Sequence, residues 1–378
     1  MKPFSGLLVA DFTHVLSGPF CTMMLADLGA RVIKLERPDI GDDSRQFGPM
    51  YQDKSMYFES VNRGKESVTV DLKQPDDVQW VKNLLKKVDV VVENFKPGTM
   101  SKLGLDYASV KQLNDKIIYA SISGFGQTGS MSQLPAYDEV IQAMSGFMSV
   151  TGDPNGSPMK AGPAVSDMLA GVYCFSSIAT ALYQREKTKQ GCHIDIAMLD
   201  CMIAFLGSDV PCDRVLHKLP VRVGNKHRNI APFSTFRCED GEIVICAATD
   251  KLFQITCDVL NLPELKTNPA CQTNMARLQQ TELIEREFEN VLKHHPVEYW
   301  HQCFLKAGVP VSPINNVTEA LDLPVINERN MLVSAQEYIL PGCPIKLSSF
   351  TDTKIRSPAP NLNQNGDDIR REFQEDAS

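Results

Sequence analysis

Over residues 7–123, short apolar runs alternate with amphipathic stretches. Residues 7–13 form an apolar run that ends polar; Ser17, Gly18 and Pro19 follow, then a helical pattern over 20–28 that Gly29 closes. Proline suits the start of a helix and glycine its end, so this reads as strand, turn, helix and stop. Residues 31–36 read as a second strand, 67–72 as a third, 89–93 as a buried strand by its valines, and 117–123 as a further one. Between them, 77–88 is amphipathic and 109–113 helical. This alternation predicts βαβ units, a mostly parallel sheet, and ligands at the carboxyl ends of its strands. The loops to watch are therefore 13–17, 37–45, 94–98 and 124–137.

Further along, 168–187 is helix-compatible, 193–198 reads as a strand and 199–206 as a helix. The pattern loosens between Pro211 and Pro220, and a second domain is expected from about 225 to 325. Strands near Phe236 and at 243–247 would join there through an Asp240-Gly241 turn, with helices at 251–260, 279–292 and 297–307 and a Pro-rich segment at 308–313. From about Met331 the chain reads as extended again, 345–350 as strand-like, and the charged 366–378 as a frayed helix or tail.

Composition narrows the function classes. A chain of 378 residues, 43% hydrophobic, is long enough for a large core and two or three domains. The opening MKPFSGLLVADF lacks the long apolar segment of a signal peptide, because Asp11 interrupts it, so a cytoplasmic protein is expected. The most apolar run, 168–183, carries Gly171 and stops at Gln184-Arg185-Glu186-Lys187; it reads as too short for a bilayer and as a core helix, with no membrane partner. Eleven cysteines contain no CxxC pair and no zinc-like spacing with histidine, which predicts reduced thiols and no metal. A net charge of -8 without a basic stripe argues against nucleic acid.

Two stretches carry candidate chemistry. Residues 124–129 spell GFGQTG, but a dinucleotide fingerprint must open a helix, and Pro135 interrupts any helix begun there. The stretch reads instead as a glycine loop over a site. Asp167, in AGPAVSDMLAG (161–171), falls where a helix begins, a place whose unpaired N–H groups and dipole favour an ionised carboxylate. An aspartate there is either an ordinary cap or a catalytic carboxylate.

ADFTHVLSGPF (10–20), DLGARVIKLERP (27–38), VNRGKESVTVDLK (61–73), VVENFKPG (91–98), SISGFGQTG (121–129), SDMLAGVY (166–173) and GNKHRNIAPF (224–233) together resemble the class III, or CaiB/BaiF, CoA-transferases, over nearly the whole chain. The resemblance implies an interlocked homodimer of open-ring subunits. Each would pair a large Rossmann-like parallel-sheet domain, built from 1–210 and 331–378, with a smaller α+β domain at 225–325. It implies Asp167 as nucleophile, coenzyme A thioesters as substrates, and no permanently bound cofactor. It also implies that CoA or substrate is met by Val15, Leu16, Ser17, Arg37, Tyr57, Val70, Asp71, Leu72, Lys73, Asn94, Phe95, Lys96, Lys102, Gly124, Gly126, Tyr137 and Asp138. Likeness to oxalate-metabolising members implies acetyl-CoA as donor and oxalate as acceptor, with formyl- or succinyl-CoA and other dicarboxylates as alternatives. Departures from the formyl-CoA transferase pattern are Leu16 in place of a glutamine, Lys102 in place of an arginine, and a missing glycine-only loop. The family fold also includes 2-methylacyl-CoA racemases, whose catalytic histidine aligns with Tyr137. His14 and His227 are further candidates to line the site.

Overall fold

The computed structural model describes residues 1–374. Its first half runs β1 (Leu8–Asp11), α1 (Ser17–Asp27), β2 (Arg31–Glu36), α2 (Met56–Asn62), β3 (Glu66–Thr69), α3 (Pro75–Leu85), β4 (Val90–Glu93), α4 (Thr99–Lys102), α5 (Tyr107–Leu113), β5 (Ile118–Ser123), α6 (Asp138–Met144), α7 (Val165–Thr188), β6 (Cys192–Ala197) and α8 (Met198–Phe205). Six strands form one sheet in the order β3-β2-β1-β4-β5-β6, every neighbouring pair parallel. The order reverses between β1 and β4, the topological switch point where doubly wound sheets bind ligands.

Successive valines make this sheet a central layer. Val90 and Val92 face Cys21 and Leu25 of α1 and Cys174 and Ile178 of α7, whereas Val91 faces Trp80, Leu84 and Val110 on the opposite side. Strand side chains alternate between faces, so a run apolar on both is what a sheet covered twice requires. The six strands expected before residue 200 all lie in this sheet, with ends shifted by up to three residues.

Helix α7 departs from expectation. It spans 24 residues, begins three residues before Met168, and is long and apolar enough to cross a membrane by length and composition. In the structure one of its faces, Ala170, Gly171, Cys174, Ile178 and Ala181, is packed in the core, while Val172, Tyr173 and Tyr183 are exposed. The loop at 124–137 opens no helix at its glycines; α6, which the sequence pattern did not reveal, starts only at Asp138.

The chain divides into two units: one holds Met1–Met148, Lys160–Leu219 and the chain from Pro324 on; the other holds Ser149–Met159 and Pro220–Leu323. The inclusion of Ser149–Met159 in the second unit was not foreseen. There, β7 (Phe233–Arg237), β8 (Glu242–Cys246), α9 (Asp250–Val259), α10 (Thr281–Leu292), α11 (Val297–Ala307) and β9 (Val311–Pro313) surround a core of Phe236, Phe253, Phe288, Trp300 and Phe304. Its antiparallel sheet runs β9-β8-β7.

On returning to the first unit the chain forms β10 (Leu332–Ala335), β11 (Tyr338–Pro341) and α12 (Gly366–Glu372). The strand expected at 345–350 is not one: Pro341 and Pro344 flank the stretch and a turn from Phe350 N–H to the Leu347 carbonyl closes it. The tail reading also needs correction, because α12 docks through buried Ile369 and Phe373 and Trp80 donates to the Arg370 carbonyl at 3.2 Å. Residues 375–378 of the expected tail lie outside the described residues.

Candidate active site

Between β1 and α1, at the switch point, the turn formed by Thr13, His14, Val15 and Leu16 is held from several sides. Asp11, fully buried, accepts from Thr13 N–H at 2.9 Å and from the Thr22 hydroxyl at 2.7 Å, and pairs with Lys65 at 3.0 Å. Lys34, equally buried, donates to the Thr13 carbonyl at 2.7 Å and pairs with Asp42 at 2.9 Å. Asn94 accepts from His14 N–H and donates to its carbonyl, both at 2.8 Å. Asp42 accepts from Val15 N–H at 3.1 Å, and Val15 has φ 65°, a left-handed conformation that is strained for a β-branched residue. Burial alone would raise the Asp42 carboxyl, but the Lys34 charge together with the hydrogen bonds from Lys34 and Ser44 outweighs it and holds the group well below the usual carboxylate range.

Immediately after this turn, the Ser17 side chain stands beside Asp167 and favours its ionised form. Asp167 is not the N-cap of α7 but lies inside its first turn; Ala164 occupies the cap and makes no side-chain cap bond. The capping role passes to Asp138, which accepts from Ser166 N–H at 2.9 Å, Ser166 Oγ at 2.7 Å and Gln142 Nε2 at 2.6 Å. α1 and α7 approach closely because Gly171 faces α1: a Cβ there would lie 2.7 Å from the Ser17 carbonyl. The helix start is not the only force on the Asp167 carboxyl. Burial, with the nearby Asp138 charge, lifts its carboxyl from 3.8 to about 6 against the opposing pull of Ser17. Tyr57 stands in the same cluster; burial together with Asp167, Asp42 and Asp138 pushes its hydroxyl up to about 12.

On the other side of the turn, His14 opens onto a cavity of about 520 Å3 that Arg37, Val70, Asp71, Leu72, Lys73 and Phe95 also line. His14 packs against Phe95 with ring centroids 5.2 Å apart, its Nδ1 is buried without a partner, and burial and Lys34 lower its pKa. Arg37 donates to the Gly41 carbonyl at 3.2 Å and pairs with Asp43; no ion pair engages Lys73 among the described residues. Thus one cavity has an apolar wall, two cations at its rim and an orphan ring nitrogen, and a four-residue turn connects it to a carboxylate with a raised pKa. That combination suits a phosphorylated ligand whose reactive end meets Asp167.

Other candidates fall elsewhere. Lys96 lines a second cavity, of about 280 Å3, with Glu93, Ser121, Gln127 and His193. In it Ser121 Oγ lies 3.0 Å from His193 Nε2, and burial raises Glu93 to about 7 while Phe95 N–H donates to it at 2.9 Å. Lys102 ends the short α4, exposed, and does not line the 520 Å3 cavity. The loop holding Gly124 and Gly126 is tied down, since Gln127 N–H donates to Asp195 at 3.0 Å; that N–H is not available as an oxyanion donor. The Tyr137 side chain is 79% exposed at the start of α6, although Asp138 beside it is buried. His227 belongs to the second unit, where it packs on Phe233 and accepts from Asn229 N–H at 3.1 Å. Sequence reasoning missed Asp11, Lys34, Asp42 and Lys65; the available signal was Lys34, a charge within the apolar strand RVIKLE.

Fold and cavity together define an α/β enzyme with its ligand site at the switch point of a doubly wound sheet. The comparisons specify which. Residues 4–366 match CoA-transferase family III. The chain is 45% identical over 372 residues to acetyl-CoA:oxalate CoA-transferase of Acetobacter aceti, covering 98% of this chain and 96% of the relative. It is 36% identical to human succinyl-CoA:glutarate CoA-transferase, covering 98% and 86%. Among solved structures, a CAIB/BAIF family protein from Brucella suis superposes with a TM-score of 0.88 at 37% identity, covering 99% and 100%. Rv3272 from M. tuberculosis gives 0.88 at 28%, covering 97% and 98%. The chain belongs to CoA-transferase family III and is an enzyme that transfers CoA.

Proposed function

We propose that the protein moves CoA from acetyl-CoA to oxalate, with Asp167 as the covalent nucleophile. The substrates are supported by the 45% identity to the Acetobacter aceti acetyl-CoA:oxalate CoA-transferase. The single observation that carries the mechanism is Asp167 itself: a largely buried carboxylate, titrating near 6, beside Ser17 and joined by the 13–16 turn to the cavity of Arg37 and Phe95. A carboxylate suits transfer without hydrolysis, because it forms an anhydride and a thioester that both retain the energy of the donor thioester.

An Asp167 oxygen attacks the acetyl thioester carbonyl, the C–S bond breaks, and CoA leaves as thiolate, giving an aspartyl acetyl anhydride. The thiolate attacks the aspartyl carbonyl and expels acetate, giving an aspartyl-CoA thioester. Oxalate attacks that carbonyl and releases thiolate; the thiolate attacks the oxalyl carbonyl of the new anhydride, yielding oxalyl-CoA and free Asp167. No net proton is consumed, so a group titrating near 6 is ionised and competent at neutral pH. Val70, Leu72 and Phe95 would hold the apolar part of CoA, Arg37 and Lys73 its phosphates. Exclusion of water protects both intermediates.

The protein works as an interlocked homodimer in this proposal, and the exposed Val172, Tyr173 and Tyr183 on α7 are consistent with a face that a second copy covers. The test is to incubate the protein with acetyl-CoA, quench with hydroxylamine or borohydride and map the modified peptide. A panel of acyl-CoA donors against carboxylic acids, read by mass spectrometry, tests the substrates. Label on Asp167 and oxalyl-CoA among the products support the proposal. Label elsewhere sinks the mechanism, and fast transfer to another diacid with none to oxalate sinks the substrate assignment alone.

A further inference from the structure

We propose that Asp42 is a positioning residue for acyl transfer: it holds Val15 in its left-handed conformation, and through that residue sets Ser17 against Asp167. The inference rests on Asp167 being the nucleophile.

The geometry converges on one backbone N–H. Asp42 Oδ1 lies 3.1 Å from Val15 N and Oδ2 lies 3.3 Å away. Its remaining acceptor capacity goes to Ser44, through N–H at 2.9 Å and Oγ at 2.7 Å, and to Lys34 at 2.9 Å. Both Asp42 and Lys34 are fully buried, so neither is held in place by solvent. The flanking residues are pinned independently, Thr13 by Asp11 and Lys34, His14 by Asn94. Val15 is the one residue of the turn whose φ is positive, and its bond to Asp42 is what opposes relaxation to an extended conformation. Two residues further on, Ser17 begins α1, whose close approach to α7 at Gly171 sets the Ser17 side chain beside Asp167. With Thr13 and His14 pinned, relaxation at Val15 would turn the chain that follows it and move Ser17 away from the nucleophile.

The groups facing Asp167 give the test its sign. They are Asp138 from α6, which raises its pKa, Ser17 from α1, which lowers it, and the Tyr57 hydroxyl from α2. Removing the negative charge of Asp42 can act through space only downward on Asp167, whereas moving Ser17 away acts upward.

The experiment compares Asp42→Ala, Asp42→Asn and Asp42→Ala/Val15→Gly with the wild type, following kcat, KM for acetyl-CoA and the acid limb of kcat/KM. Asp42→Ala is expected to lower kcat about 100-fold, the scale of a displacement near 1 Å, with KM changed only a few-fold. Its acid limb should move upward from about 6. Asp42→Asn, which returns the acceptor to Val15, should recover most of kcat. Glycine adopts a positive φ unaided, so the double variant should also recover activity, and folding if Asp42→Ala does not fold. A limb that stays or moves down overturns the proposal, as does a double variant no better than Asp42→Ala. Full transfer by Asp167→Ala would instead remove the reading on which it rests.

Discussion

Replacing the nucleophile by its neutral isostere should make the protein more stable, and by an amount that depends on pH. The carboxyl of Asp167 is raised from 3.8 to about 6 in the folded protein, first by burial and then by Asp138. A rise of about two units corresponds to about 3 kcal/mol, at 1.36 kcal/mol per unit. Below 3.8 both the folded and unfolded states hold the proton and the shift has no effect. Between 3.8 and about 6 the unfolded chain has released its proton while the folded protein retains it, so stability falls as pH rises. Above about 6 both are ionised and the whole penalty is present. Asp167→Asn removes that penalty but leaves one amide N–H without an assigned acceptor, which costs about 1–2 kcal/mol. A net gain of about 1–2 kcal/mol is therefore expected at pH 8, turning into a loss of about 1 kcal/mol near pH 4. Thermal unfolding of both proteins at equal concentration from pH 4 to 8.5 measures it, comparing corresponding transitions because the chain has two units. A variant no more stable at pH 8, or a difference that does not change with pH, refutes the electrostatic account of this site.

Three further perturbations test other parts of the argument. Gly171→Ala places a methyl 2.7 Å from the Ser17 carbonyl, so it should push α1 from α7, destabilise by about 1–3 kcal/mol and lower kcat more than it changes KM; urea unfolding and steady-state rates check both. Arg37→Ala, at the rim of the cavity, should raise the Kd of CoA about tenfold by calorimetry, an effect expected to shrink at high salt. Glu93→Gln keeps an acceptor for Phe95 N–H but removes a group titrating near 7. CoA affinity should change between pH 6 and 8 in the wild type and less in the variant, and identical profiles would show that Glu93 ionisation is not felt at Phe95.

Periodicity was sufficient for the sheet. The valines of β4, apolar on both faces, and the Pro and Gly marks around α1 are local signals, and local signals survive in a linear string. The same is true of Asp167 as a residue at a helix start. What the string could not carry was the balance of forces on those residues. Whether Asp167 is kept ionised by its helix or pushed toward protonation depends on burial and on Asp138, which lies on α6, 28 residues before its partner Ser166, and caps α7 from a distance. Nothing in the string pairs Lys34 with Asp42, yet the fold removes both from water and uses them to hold a strained turn. The sequence alone determined which segments alternate, where the chain bends and which residues could bear charge, because each follows from near neighbours. Only the tertiary structure decided which charges are buried, which carboxylate titrates near 6 and which cavity each lysine faces, because solvent exclusion and like-charge proximity exist only once distant segments are packed together.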